Sequence, residues 1–329
     1  MLLTATAATL RRSLIAAAAN VAPMRPTVLA TLACVIAAAC WAASAVIAAG
    51  AFERGMSPER LAESRVITSL IPLAAYLLVA RRDLMRPPRA ALPAVIAFGA
   101  CLVAVNSAYY LAIARVPVGV AIALQYTAPV LILATTALLT RQSPHRNVWL
   151  AGGLTLAGAI LVSGAVAGDA NEPLDGIGLA AGIAAAVTYA GYLVTAEESG
   201  KRGAHPVTTL FIGFVVAAVI WAVILPIWDW PFELLQDPQI AWRVLAVGLG
   251  GTLLPFALTI AALRWITSAL AGIATTTEPV LAAALAWLFL GQALSVPQLI
   301  GGALVVAGVL TAQLARAPTP ETTPVEIAP

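Results

Sequence analysis

Ten blocks of roughly 20 apolar residues, separated by short charged or Pro- and Gly-containing segments, run from Thr27 to Leu314. A helix needs a run of about that length to cross a bilayer core of ~30 Å. Only helices and closed barrels satisfy every backbone polar group in lipid. Barrel strands would be ~10-residue segments of alternating polarity, and no such alternation is present. The chain is 61% hydrophobic and 10% charged, where a soluble domain carries about 25% charged residues. It reads as an all-α integral membrane protein with ten transmembrane helices and the lipid bilayer as its main neighbour.

The spans are expected at approximately Thr27–Gly50, Leu61–Ala80, Ala91–Ile113, Val118–Leu139, Val148–Val166, Ile177–Thr195, Val207–Ile227, Ala241–Ala262, Ser268–Leu290 and Val296–Leu314. Residues 1–26 form an N-terminal cytoplasmic segment. Its run LRRSLIAAAANVAPM has a basic start and a short apolar stretch, as a secretory or twin-arginine signal would; Met24 offers a second start point. Residues 317–329 are Pro- and Thr-rich and read as a disordered tail. Trp228 and Trp230 read as anchors at the membrane interface.

Loop charges orient the chain. With the N-terminus cytoplasmic, thirteen of the eighteen Lys and Arg residues fall inside, and Arg54, Arg60, Arg65, Arg115 and Arg243 fall outside. An even number of spans then puts both termini in the cytoplasm of a multi-pass protein of the cell inner (plasma) membrane.

The second half copies the first. At an offset of 150, Pro129, Gln142, Gly152, Leu154, Ala157 and Gly158 fall on Pro279, Gln292, Gly302, Leu304, Ala307 and Gly308. At an offset of 148, Arg54–Pro58 falls on Arg202–Pro206 and Trp41 on Tyr189. The copies are residues 27–167 and 176–316. Each holds five spans, an odd number, so the two are expected to be inverted repeats. That ground plan is common in secondary transporters.

Several segments carry a family likeness in one order. They are Cys40–Ser44 in the first span, Tyr109–Arg115 running into Val118–Pro129, Glu278-Pro279 with Leu290-Gly291-Gln292, and the closing run Gly301–Gly308. From Thr27 to Leu314 the chain resembles the ten-helix EamA-type transporters of the drug/metabolite transporter superfamily. The resemblance implies export of small metabolites, often amino acids or their relatives, coupled to an ion gradient or by facilitated diffusion. Two departures stand out. Ala42 follows Trp41 where the family often has Gly. Gln142 and Gln292 stand where it often has Glu.

Glu278 lies about ten residues into the ninth span, ~15 Å deep at 1.5 Å per residue. A charge there costs at least ~2.5 kcal/mol and usually faces a cavity or a partner. A carboxyl withdrawn from water favours its neutral form. Glu278 is therefore a candidate proton-coupling group or counter-ion for a substrate amine; the structural alternative is a protonated acid joining two helices. Pro129 and Pro279 cannot donate to the carbonyls of Gln125 and Thr275, so both are candidate hinges, or plain kinks.

Helical spacing groups further polar and aromatic residues. Asn106, Tyr109 and Tyr110 share a face of the third span. Gln125 shares one with Ala121 and Ala128, and Thr275 shares one with Glu278. Trp41 with Ser44, and Tyr189 with Tyr192, are three apart. Together they suggest a small-molecule site with aromatic walls; packing is the alternative for each ring. Arg65, near the outer edge of the second span, is a candidate for a substrate carboxylate, or snorkels to headgroups. Gly153–Ala157 and Ala303–Ala307 with Gly158 and Gly308 read as close-packing scaffold, or as a homodimer contact.

Cys34, Cys40 and Cys101 lie inside spans, and His145 and His205 in separate loops. No metal, cofactor or nucleic-acid partner is implied. No phosphate-binding Gly-rich loop points to ATP-driven pumping, and one isolated intramembrane acid does not make an enzyme. A lipid or nucleotide-sugar carrier, a drug efflux pump, and a membrane scaffold or sensor are the other readings. A carrier of phosphorylated substrates would be expected to show several basic cavity residues.

Overall fold

The computed structural model describes residues 26–116, 118–164, 175–290 and 295–314. The proposed signal, the second start point, the tail and Gln292 lie outside them. Every described element is helical. In chain order they are α1 (Pro26–Phe52), α2 (Pro58–Ala80), α3 (Leu92–Ile113), α4 (Val118–Gln125), α5 (Ala128–Thr140), α6 (Arg146–Val162), α7 (Gly176–Lys201), α8 (Pro206–Ile224), α9 (Pro238–Gly248), α10 (Leu254–Ala262), α11 (Ser268–Thr275), α12 (Glu278–Leu290) and α13 (Val296–Leu314). A π-helical turn, Leu249–Leu253, joins α9 to α10. Taken as continuous segments, nine of these are long and apolar enough to cross a membrane among the described residues. α6 is a shorter apolar helix.

The fourth and ninth expected spans are each divided. α4 gives way to α5 at Tyr126-Thr127, and α11 to α12 at Thr276-Thr277. The cause is the proline two residues on, which supplies no N–H to the preceding turn. Both breaks close the same way. Thr127 N–H donates to Leu124 O at 3.1 Å and Thr277 N–H to Ala274 O at 3.3 Å, each three residues back. The threonine hydroxyls take the same carbonyls at 2.7 and 2.8 Å. The breaks are copies at the offset of 150.

The loops repeat as well. The turns after α1 and α7 carry Gly55 and Gly203, with φ of 91° and 86° that a side chain would resist. Met56 N–H reaches back to Ala51 O at 3.2 Å, and Ala204 N–H to Ser199 O at 2.9 Å. Pro58 and Pro206 then open the next helices after caps from Ser57 and His205. Packing follows the same exchange: α3 lies on α7 and α8, while α9 and α10 lie on α1, and α9 and the π turn on α2.

Lipid supplies little hydrophobic drive for helix association, so close backbone approach matters. α6 and α13 cross where a Cβ at Gly158 would meet Gly301 O at 2.6 Å, and one at Gly301 would meet Gly158 O at 2.7 Å. Gly153, Ala157, Ala303 and Ala307 instead face outward. Trp228 is exposed, but Trp230 is buried and donates to Ser64 Oγ at 3.0 Å. Only Trp228 thus has the exposure of an interface anchor; Trp230 braces α2. Beside it Arg60 pairs with the buried Glu63 at 2.9 Å.

Candidate functional site

A cavity of about 340 Å³ opens between α1, α2, α3, α4, α7, α12 and the α9–α10 span. It runs from the two helix breaks to Phe52 and Leu61, which flank the α1–α2 hairpin. Its size suits a small-molecule site. Glu278 opens α12 at one wall, and its Oε2 accepts a hydrogen bond from Tyr126 Oη at 2.7 Å. That contact joins the two interrupted spans. The break supplies the geometry: it exposes the first turn of α12, where a helix N-terminus favours a carboxylate.

Across the cavity stands Arg65. Its Nε donates to Thr252 Oγ1 at 2.6 Å and its Nη2 to Gly251 O at 2.7 Å. Both acceptors belong to the π turn, whose widened ring is closed by Leu254 N–H donating to Leu249 O, while Thr252 Oγ1 donates to Val247 O at 2.9 Å. Arg65 lies within electrostatic range of Tyr110 and Glu278. It is held inward, not extended to headgroups. Arg65 and Glu278 are the two acidic or basic side chains of the Asp, Glu, Lys and Arg types among the described residues that line the cavity.

The far wall is a chain of edge-to-face rings. Trp41–Phe256, Phe256–Tyr192, Tyr192–Tyr189 and Tyr189–Tyr126 have centroids 5.4, 5.7, 4.9 and 6.1 Å apart, in the favourable range for such pairs. Tyr189 Oη donates to Thr275 Oγ1 at 2.9 Å.

The structure gathers most of the expected residues. Trp41, Ser44, Asn106, Tyr109, Tyr110, Gln125, Tyr189, Tyr192, Arg65, Glu278 and Pro279 line one cavity. Thr275 and Pro129 do not. Thr275 is fully buried beneath Tyr189, and Pro129 packs against Gly272 of α11. Asn106 spends one donor on Leu102 O at 2.7 Å. No group of three or more His, Cys, Asp or Glu suited to a metal lies among the described residues.

The sequence pattern of the EamA-like transporter family matches residues 28–164 and again 176–312. The chain belongs to that family. The threonine/homoserine exporter RhtA of Escherichia coli K12 is 30% identical over 217 residues, 64% of this chain and 68% of the relative. RhtA of Salmonella typhimurium LT2 is 27% identical over 236 residues, 70% and 74% of the two chains. An uncharacterized transporter of Synechocystis is 31% identical over 203 residues, 60% and 59%. A solved crystal structure superposes with a TM-score of 0.71 at 22% identity, covering 87% of this chain and 96% of its own; that likeness concerns the fold.

This EamA chain is therefore a multi-pass membrane transporter. Two cavity residues, Tyr126 and Phe256, and Thr252, which holds Arg65 from behind, are not marked by the sequence pattern alone. Tyr126 stands at a helix break opposite the intramembrane acid, and its position one residue before the Thr-x-Pro turn is the available signal. Phe256 and Thr252 follow the Gly-Gly pair at 250–251, a pattern compatible with a plain kink as well as with a π turn.

Proposed function

We propose that this protein is a secondary active exporter of small amino acids or closely related metabolites. It works by alternating access between two inverted five-span repeats, ten spans in all, in the cell inner membrane with both termini cytoplasmic. One observation carries the substrate class: a single cavity offers one fixed cation, Arg65, and one acid, Glu278, between aromatic walls. A zwitterion matches that pair, its carboxylate towards the planar guanidinium and its ammonium towards the carboxyl. The exporter named among the relatives supports the same class. A carrier of lipids or nucleotide sugars would need more positive charge than Arg65 supplies.

Glu278 serves as the proton-coupling group. Proton uptake by the acid removes the counter-ion for the ammonium, so proton and solute compete for one carboxyl. Tyr126 positions that carboxyl and responds to its charge. The prolines beside the breaks give each repeat a joint at the level of the site.

The test is a growth screen in a bacterial host lacking its own amino-acid exporters. Wild type and Glu278→Gln are challenged with toxic levels of amino acids, their analogues and cationic drugs. Resistance to amino acids or analogues, lost in Glu278→Gln at equal membrane abundance, is expected. Resistance to cationic drugs alone would sink the substrate class; equal resistance from both proteins would remove Glu278 from the mechanism.

A further inference from the structure

A second cavity, of about 540 Å³, lies at the end of the bundle opposite the α1–α2 hairpin, between the end of α7, the start of α8 and the end of α10. Glu197, Lys201, His205 and Arg264 stand in its wall. Its place follows from the repeat. At the mouth of the first cavity are Ala48, Phe52, Leu61 and Ile113. An offset of 148 turns the first three into Ala196, Gly200 and Thr209, and an offset of 150 turns Ile113 into Leu263. All four counterparts line the second cavity. Between the two cavities lies a packed layer that includes Tyr192, Thr275 and Leu193.

One connection at the second mouth ties α7 to the start of α11. Glu197 Oε2 accepts a hydrogen bond from the backbone N–H of Ser268, the first residue of α11, at 2.6 Å. Glu197 Oε1 pairs with Lys201 at 2.8 Å. A charge-assisted bond of this kind is about twice as strong as a neutral one, and it satisfies one of the orphan donors of a helix start. It fastens the end of α7 to the span that carries Glu278. At the first mouth the repeat-related positions are Ala49 and Val118, and an alanine methyl accepts no hydrogen bond.

We propose that the second cavity is the other mouth of the same transport pathway, and that Glu197, by capping the ninth span, is the gate that holds it shut in this conformation. The proposal rests on the alternating-access reading above. The lining fits the assignment. Where the first mouth is apolar, the second presents Arg264 beside the Lys201–Glu197 pair, and that guanidinium can attract the carboxylate of a solute arriving from water.

The experiment measures which side of the membrane reaches the first cavity. A reporter cysteine replaces the cavity residue Ala282 in a chain whose three cysteines are serine. A membrane-impermeant maleimide is applied to right-side-out and to inside-out vesicles. With Glu197 intact, labelling is expected from the α1–α2 hairpin side. Glu197→Gln is expected to lower it there and raise it from the opposite side, a shift of roughly tenfold for the loss of a charged hydrogen bond. Ser268→Pro removes the donor at a helix position that tolerates proline and leaves Glu197 in place; the same shift is expected.

Unchanged one-sided labelling in both variants would overturn the gate. A shift with Glu197→Gln alone would assign the effect to the Lys201 pair and overturn the capping mechanism. Equal labelling from both sides in the parent would instead remove the alternating-access reading, and the gate with it.

Discussion

Tyr126, at the break between α4 and α5, donates a 2.7 Å hydrogen bond to Glu278, the first residue of α12. The two residues are not repeat-related: Tyr126 corresponds to Thr276, and Glu278 to Ala128. A symmetric pair of breaks is thus joined by an asymmetric contact, and one repeat supplies the acid while the other supplies its donor. Tyr126→Phe is expected to leave membrane abundance near wild type and to slow amino-acid transport about tenfold, the rate equivalent of a hydrogen bond to an ionised group. Transport rates in vesicles, normalised to protein, check it. A rate unchanged by loss of the hydroxyl would mean that the contact is structural only.

Arg65 binds the π turn through two different nitrogens, at 2.6 and 2.7 Å. A lysine keeps the charge but loses the planar fork. Arg65→Lys is expected to abolish most transport with the protein still in the membrane, and Thr252→Val to weaken it less. Saturation curves for the two variants separate solute affinity from turnover. Wild-type behaviour of Arg65→Lys would show that charge alone suffices.

Pro129 and Pro279 keep the same break open in both repeats, one away from the cavity and one lining it. Restoring an N–H lets the helix close over Gln125 or Thr275. Pro129→Ala and Pro279→Ala are expected to slow transport several-fold while raising or preserving thermal stability. Equal loss of transport and of folded protein would make the prolines elements of the scaffold.

The crossing of α6 and α13 depends on Gly158 and Gly301, where any Cβ collides with backbone. Gly158→Val is expected to cost at least ~1–3 kcal/mol, as overpacking does, and to reduce the amount of folded protein in the membrane. At Gly153 a Cβ would meet nothing within 4 Å, so Gly153→Val is expected to be silent in an isolated chain. Loss of a dimer band or of stability in Gly153→Val would show that this outward face is covered by a second copy.

Much of this architecture is readable in the sequence because bilayer thickness imposes a length on every apolar block. The last span begins at Val296 as expected, and other helix ends shift by a few residues at caps and hairpins. The prolines mark the breaks because a missing N–H is a local property. Lateral partners are not local. Nothing within α4 says that Tyr126 turns to an acid 152 residues away. Trp230 looks like any aromatic residue near a membrane edge until Ser64 is beside it. The π turn depends on how α1 and α2 crowd Gly251 and Gly248, through Ser44 and Thr68. Thr275 shares a helix face with Glu278 but ends beneath the cavity, because the break at Thr276-Thr277 intervenes between them.

The most direct test reconstitutes wild type and Glu278→Gln in liposomes, imposes a proton gradient, and follows radiolabelled threonine and homoserine with an internal pH dye. Wild type should move the amino acid against its own gradient with a counterflow of protons. Glu278→Gln should lose the gradient-driven component at equal reconstitution. Gradient-driven accumulation that persists in Glu278→Gln would contradict a coupling role for the carboxyl held by Tyr126.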